Sequence, residues 1–565
     1  MKDKIINSLK VTGLSHAEIE KLIEIPKDIK LGDYAFPCFS LAKKLKKSPI
    51  EIAKDLASSI LKNISKAGKD LWIEKVDALN GYVNFFINQK KLALNILSKI
   101  EKEKEEYGKS KTKRKTMIEF SDPNTHKAFH IGHVRGTSFG ESLARILEFS
   151  GDNVIRANYS GDTGMHVAKW IWCYQKYHFA EELNDNESWI AGIYVDAVKR
   201  LSKNESFQEE VNKINRKLSN KKDKQINKLW KKTKELSIKS WERIYHELNT
   251  KFDVYFFESE VEERGKEIVS ELIKKKIAEI SDEAVIARLD NYGLGVWVLL
   301  RKDKTILYSA KDLALAEKKF KDFKINYSIV ETGSEQDLHF RQLIKTLELM
   351  NFKHFRDYKH LSHGLVKLPW GKMSSRTGDN VLYSDFRDKM IKITSKEIEK
   401  RFPKLESTRI SERALAIFIS ALKYGILKQD LNKNIVFNPE KSISFEGDTG
   451  PYLLYSYARA LRILEKAEYK KQKKFSVSNV SEEEKKLIGL LASFPNIVKN
   501  SYENLAPNLI ANYSYDLAKS FSEFYHSCIV IGAEKEQFRL KIVDSFSQVM
   551  KSALFLLGIS VIPEM

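Results

Sequence analysis

Residues 119–135 read EFSDPNTHKAFHIGHVR, a succession of strand, turn and helix start. Around its beginning Met117, Ile118 and Phe120 are apolar with β character, behind a basic run. Asp122-Pro123-Asn124 is a turn signal, because proline fixes φ and Asp or Asn side chains bond the nearby backbone. His130-Ile131-Gly132-His133 follows and opens a helical pattern carried through Leu143, Ile146 and Leu147. A strand that passes through a loop into a helix N-terminus turns free N–H groups and the positive end of the helix dipole toward an anion. Two imidazoles three positions apart share one helix face and can reach one triphosphate. Gly132, lacking a Cβ, lets a flat base lie against the backbone. A surface helix that happens to carry two histidines would read the same way, and this stretch alone leaves both readings open.

Working outward, 565 residues exceed what one core can hold, and three or four domains are expected. Lys and Arg number 97 against 76 Asp and Glu, a formal net charge of +21. Such a balance suits a polyanionic partner, since each neutralised phosphate releases counterions; plain solubility charge would also produce it. Cys38, Cys173 and Cys528 stand far apart with no CxxC pair. That excludes a disulfide framework and an all-thiolate zinc site and suits a reducing compartment. The start MKDKIINSLK lacks the apolar core of a signal peptide, and no apolar run reaches membrane-spanning length. A cytoplasmic protein without membrane attachment is expected.

Along the chain, residues 1 to about 105 form an α+β module: IEIAKDLASSIL (50–61) is helical in period, and WIEKVDALNGYVNFFIN (72–88) reads as two strands about an Asn80-Gly81 turn. A helix over roughly 89–106 follows, and the basic run KSKTKRK (109–115) marks a boundary. Strands at 116–121, 153–159, 305–309, 325–332 and 360–367 then alternate with helices, as in a parallel sheet. Between about 165 and 300 long charged helices such as NKLWKKTKELSIKSWERIYHEL (227–248) interrupt this rhythm, which reads as an insertion. After about 385 the pattern is nearly all helical. The fold class expected is multidomain α/β: a Rossmann-type parallel-sheet domain with a helical insertion, a small α+β N-terminal domain and an all-α C-terminal bundle.

The second informative stretch is LSHGLVKLPWGKMSSRTGDNV, 361–381. Its glycine-bracketed basic segment can close over a triphosphate and set Lys372 and hydroxyl donors where charge builds on leaving pyrophosphate. With the histidine pair upstream, the chain resembles a class I aminoacyl-tRNA synthetase: His130–His133 matches the HIGH motif, and KMSSR at 372–376 matches KMSKS. Further stretches resemble the arginyl-tRNA synthetase family in particular. They are EFSDPNTHKAFHIGH, YSGDTG (159–164), FDVYFFES (252–259), YSAKDLALA (308–316), GSEQDLHFRQL (333–343), GDTGPYLLYSYAR (447–459), YDLAKSFSEFYHSC (515–528), the ending PEM and the N-terminal GDYAFPCFSLAKKL (32–45).

The resemblance implies ATP-dependent ligation of L-arginine to its tRNA through arginyl-adenylate, with ATP entering as substrate together with Mg2+ and with no dedicated protein metal site. It implies Glu119, Asn124, Tyr308, Asp312 and Gln336 as arginine contacts, the two acids meeting the guanidinium. A capping box over Ser309–Asp312 would also explain an acid at 312. His130, Ile131, Gly132, His133, Gly333, Lys372, Met373, Ser374 and Ser375 are implied for ATP, with His130, His133, Lys372 and Lys127 as the catalytic set. For tRNA the implied contacts are Asn80, Tyr82 and Asn84 at the elbow, and Tyr452, Tyr455, Tyr525 and Met565 near the anticodon, where unpaired bases stack on rings. The implied domains are 1–108 (tRNA elbow), 114–390 (catalytic, with the insertion at about 165–300), a connecting segment 391–440, and 441–565 (anticodon). A monomer is implied as well.

Three positions depart from the family pattern: Ser375 replaces the second lysine of KMSKS, with Lys127 placed to supply its charge, Thr377 stands where lysine is frequent, and Thr163 stands where tryptophan is usual. Altered rates or affinities are expected from these. Two other readings compete: a non-catalytic tRNA-binding paralogue that keeps the fold, and a synthetase for cysteine or glutamate. Retention of both motifs and both tRNA-binding ends argues against the first. The lack of a Cys/His zinc set and the two guanidinium-facing acids argue against the second.

Overall fold

Strands β1 (Tyr34–Pro37), β2 (Ile73–Leu79) and β3 (Tyr82–Ile87) form an antiparallel sheet in the order β1-β3-β2. Asn80 and Gly81 join β2 to β3 with φ of 50° and 83°, the left-handed pair that a two-residue hairpin turn requires and that Asn-Gly supplies at least cost. Helix α1 (Pro49–Lys66) covers the sheet. Helix α2 (Gln89–Glu103) is capped by Asn88, whose side chain accepts from the Lys91 N–H, and a 3-10 turn carries it to Glu106. This is a computed structural model, and it describes residues 2–24, 26, 28–66, 72–367, 369, 382–471, 476–477 and 479–565. The chain divides into two compact units: Met1–Lys104 with Lys466–Ala492 and Glu523–Ser545, and Glu105–Glu465 with Ser493–Ser522 and Phe546–Met565.

The larger unit is built on five parallel strands. These are β4 (Lys115–Glu119), β5 (Asn153–Ser160), β6 (Val254–Phe257) and, beyond a separate antiparallel sheet of β7 (Glu279–Ser281), β8 (Ala284–Arg288) and β9 (Val296–Leu300), β10 (Tyr327–Gly333) and β11 (Tyr358–His363). Their order is β11-β10-β4-β5-β6. From β4 the chain moves outward to β5 and β6, then returns to lay β10 on β4's other edge, with Val330 beside Glu119. The crevice at the carboxyl ends of β4 and β10 is therefore a topological switch point, where open parallel sheets bind their ligands.

Helix α3 (Ile131–Phe149) follows β4 and is buried along almost its whole length. It seats closely because Gly140 has no Cβ, which would otherwise fall 2.1 Å from the Phe120 ring. Further helices bearing on the site are α4 (Lys224–Glu247), α5 (Glu258–Lys274), α6 (Tyr308–Phe323) and α7 (Asp337–Leu349).

The sequence expectations need correction in three places. No strand occupies 305–309: Ile306 makes a single bridge to Leu300, and Tyr308 already begins α6. Ile306 is buried, so the apolar character of this link serves packing and not a ladder. The stretch 165–300 is helical only as far as Glu247, after which β6 joins the main sheet and β7–β9 form their own. The strand expected at 360–367 breaks after His363. Val366–Lys367 (β12) pairs instead with Ile435–Val436 (β13), because the Gly364 N–H is drawn to the carbonyl of Leu431.

From Tyr383 onward the regular elements of the described residues are helices apart from β13, as expected of the C-terminal region. Cys38, Cys173 and Cys528 are free and buried. Among the described residues no helix is long and apolar enough to cross a membrane.

Candidate active site

Past Glu119 the chain reverses sharply, with Ser121 and Asp122 at φ of 78° and 44°. The carboxylate of Asp122 anchors this turn by accepting the Tyr159 N–H at 2.7 Å. Asn124 lies against Gly161, where a Cβ would come within 2.3 Å of its Oδ1. Next in the loop, His126 is wholly internal: its ring nitrogens meet the hydroxyls of Thr125 (2.9 Å) and Thr233 (2.7 Å). Burial lowers it to about 3, so it stays neutral and pins the loop to α4.

The start of α3 caps itself. His130 is the N-cap residue; its Nδ1 accepts the Gly132 N–H at 3.1 Å, and the His130 N–H donates to Nδ1 of His133, also at 3.1 Å. This is a capping box built from two imidazoles where Ser and Glu normally serve. Gly132 is required by it, since a Cβ would stand 2.8 Å from His130 Cε1. The glycine makes room for a protein ring, a role the sequence reading did not assign. The rings stack with centroids 3.9 Å apart. Burial lowers His130 to about 4 and holds His133 well below the ordinary histidine range, so both are neutral. With Nδ1 occupied as an acceptor in each, the proton sits on Nε2, leaving two Nε2–H donors for an incoming anion. Burial and the nearby Lys169 also depress Lys127.

Beside this turn lies an acidic cluster. Glu119 pairs with Lys319 of α6 at 2.7 Å, both buried, and Glu258, the first residue of α5, pairs with Lys311 at 2.7 Å. Burial and neighbouring carboxylates raise Glu119, Asp122 and Glu258 above the usual carboxyl range, although Lys319 and Lys311 oppose the rise. Asp312 lies one turn inside α6 and accepts from Nε2 of His339 at 2.7 Å. Trp297 donates to the other nitrogen of that imidazole, and no lysine or arginine ion pair reaches Asp312 among the described residues. The second oxygen of Asp312 is buried without a hydrogen-bond partner. The capping alternative for Asp312 fails: Leu307 is the N-cap, and Ser309 donates its hydroxyl to the Val298 carbonyl.

Tyr308 is 56% exposed and meets the His339 ring edge-on at 4.7 Å. Gln336 is half-buried where α7 begins, and Gly333 ends β10. Lys372, Met373, Ser374 and Ser375 lie outside the described residues. Thr163 is half-buried beside Asp162, whose carboxylate takes Lys234 (2.8 Å) and Ser259. Of the residues implied for tRNA, Asn80 is exposed at its turn, Tyr82 is half-buried against Phe39, and Asn84 is buried in β3 between both neighbouring strands. Tyr452 and Tyr455 are half-buried, Tyr525 is 40% exposed, and Met565 lines a cleft with Tyr455, Phe402 and Phe445. The sequence reading missed Lys319, His339, Glu258 and Lys311. His339, Glu258 and Lys311 fall within stretches the resemblance had already singled out.

Residues 95–439 match the catalytic domain of tRNA synthetases class I (R), 1–87 match the arginyl tRNA synthetase N terminal domain, and 453–565 match the DALR anticodon binding domain. The switch-point sheet and the histidine-capped helix are thus those of a class I tRNA synthetase. Clostridium perfringens arginine–tRNA ligase is 37% identical over 558 residues, 97% of this chain and 96% of that protein. The Clostridium acetobutylicum enzyme is 34% identical over 562 residues, 98% of each. The chain belongs to the arginyl-tRNA synthetase family. Its fold is that of the Thermus thermophilus arginyl-tRNA synthetase, with a TM-score of 0.81 at 23% identity over 100% of this chain and 99% of that one. For the Plasmodium falciparum arginyl-tRNA synthetase the TM-score is 0.77 at 22% identity, with 100% and 99% covered.

Proposed function

We propose that the protein charges tRNA with arginine at the expense of ATP. The observation that carries this reading is the second oxygen of Asp312, a buried acceptor without a hydrogen-bond partner in an acidic pocket where Glu119 and Glu258 already have lysine partners. A guanidinium supplies both the charge and the fork of donors such an oxygen lacks. Glu119, Tyr308, Asp312 and Gln336 bind the arginine side chain, and Asn124 its backbone.

The arginine carboxylate attacks the α-phosphorus of ATP in line; a carboxylate oxygen–phosphorus bond forms and pyrophosphate leaves. No side chain acts as nucleophile, so catalysis is positioning and charge stabilisation. His130 and His133 donate to the phosphates, and Lys127 with Lys372 neutralises the leaving pyrophosphate; Ile131, Gly132, Gly333, Met373, Ser374 and Ser375 complete the ATP site. Mg2+ enters with ATP on its phosphates. The tRNA 2′-hydroxyl then attacks the mixed anhydride and releases AMP. Residues 1–108 take the tRNA elbow through Asn80, Tyr82 and Asn84. The domain 441–565, joined to the catalytic domain 114–390 by 391–440, takes the anticodon through Tyr452, Tyr455, Tyr525 and Met565. The enzyme works as a cytoplasmic monomer. The deciding assay is arginine-dependent pyrophosphate exchange with and without the arginine tRNA; no exchange with tRNA present overturns the reading.

A further inference from the structure

Gly136 sits one turn beyond His133, inside α3, where glycine is a poor helix former. A Cβ at that position would stand 2.8 Å from Oε2 of Glu331 and 3.7 Å from Cε1 of His363. Glu331 lies on β10 and is almost fully buried, and His363 is the last residue of β11. Oε1 of Glu331 is hydrogen-bonded to Nδ1 of His363, while Oε2 has no hydrogen-bond partner and faces the helix where the glycine leaves space. Next to Gly136, the Arg135 guanidinium donates to the carbonyls of Gly364, Leu365, Leu431 and Lys433 at 2.7–3.3 Å. It therefore grips the backbone that follows His363 and leaves the carboxylate to the imidazole. Two strand ends of the switch-point crevice are in this way locked to the helix whose first turn holds the histidine pair.

We propose that Glu331 and His363 are a positioning pair for adenylate formation: their hydrogen bond fixes the floor on which Gly136 rests, and through it the seat of the His130–His133 turn. The proposal rests on the reading that ATP is bound at that turn. Neither residue is assigned a contact with substrate. Burial pulls the His363 imidazole down, but the charge and hydrogen bond of Glu331 outweigh it, and the net shift is upward. The other groups facing the pair are Asp122 in the loop after β4, Glu335 beyond β10, Arg135 and His133 on α3, and His360 on β11. The charged pair is complete below the raised value of His363 and is lost as pH rises through it.

The test is tRNA-dependent pyrophosphate exchange by the full chain across about pH 6 to 9, the range in which a raised histidine titrates. Wild type is compared with Glu331→Gln, His363→Phe, Gly136→Ala and Glu331→Asp. We expect KM for ATP to rise about tenfold in the first three, as for one charge-assisted hydrogen bond, with KM for arginine changed less than about twofold. The alkaline limb of the wild-type profile should move to lower pH in Glu331→Gln and vanish in His363→Phe, and Glu331→Asp, which keeps the charge, should recover part of the loss. A wild-type profile and KM for ATP in all variants, or a change in Tm alone, overturns the pairing role, as does a parallel rise of both KM values. If exchange is lost in His130→Ala yet untouched in Glu331→Gln, the ATP reading stands and this proposal falls. If wild type shows no exchange, the functional reading fails, and the proposal with it.

Discussion

Lys319 and Glu119 form a 2.7 Å ion pair that solvent barely touches, although two hundred positions separate them in the chain. The pair settles the charge of the pocket before any ligand arrives. Glu119 has its own cation and Glu258 has Lys311, while Asp312 accepts a hydrogen bond from the His339 imidazole. Asp122 spends its carboxylate on the Tyr159 N–H, and Asp312 keeps one buried oxygen without a hydrogen bond and has no lysine or arginine beside it among the described residues, an arrangement that suits a guanidinium.

Asp312→Ala removes that carboxylate. Losing one partner of a buried charge pair costs about 3–5 kcal/mol, roughly two to three and a half decades of affinity. KM for arginine should rise by that order while KM for ATP stays near wild type. Equal rises in both would mean that Asp312 serves the helix and not the amino acid.

Lys319→Met leaves Glu119 buried beside other carboxylates without its cation and should lower stability by about 3–5 kcal/mol, read as a drop in the denaturation midpoint. Adding Glu119→Gln should restore most of the midpoint without restoring arginine binding. A double variant as unstable as the single one would show that Lys319 matters through packing, not charge.

Gly132→Ala drives a methyl group into the His130 ring and opens the reciprocal cap. Loss of an N-cap costs about 1 kcal/mol, so Tm should fall modestly. The larger effect should be on ATP, because both Nε2–H donors lose their aim, and exchange should fall at least tenfold at fixed ATP.

Burial holds His126 at about 3, and His130 and His360 at about 4. All lie below the unfolded value of about 6.5. A group depressed in the fold contributes stability that is full above its unfolded value and is lost as pH falls toward the folded one. Stability should therefore decline below about pH 6.5, each histidine adding about 1.4 kcal/mol per pH unit. Calorimetry from about pH 7 to 5 should show a shallower decline for His126→Gln than for wild type.

What could be read from the sequence was local. The Asn80-Gly81 turn, β4 and the start of α3 are written in neighbouring residues and fold as their chemistry requires. β6 escaped because four residues, VYFF, follow a long charged helix and resemble its apolar face; only the free edge of β5 makes them a strand. The capping box at Ser309 was plausible by spacing and failed because a carbonyl on β9 offered that hydroxyl a better partner. Lys319 and His339 were illegible as partners because a lysine or histidine on a helix gains its role only when the sheet order decides which strand end it faces.

The self-capped turn at His130–His133 has a consequence for hydrogen isotopes. Each ring holds its one proton on Nε2 and has its other nitrogen engaged by backbone amides, so neither can pass a proton during turnover. Attack of a carboxylate on phosphorus also makes and breaks no bond to hydrogen. The first half-reaction should therefore run at nearly the same rate in D2O as in H2O, and any slowing on deuteration should belong to the step in which the tRNA hydroxyl gives up its proton.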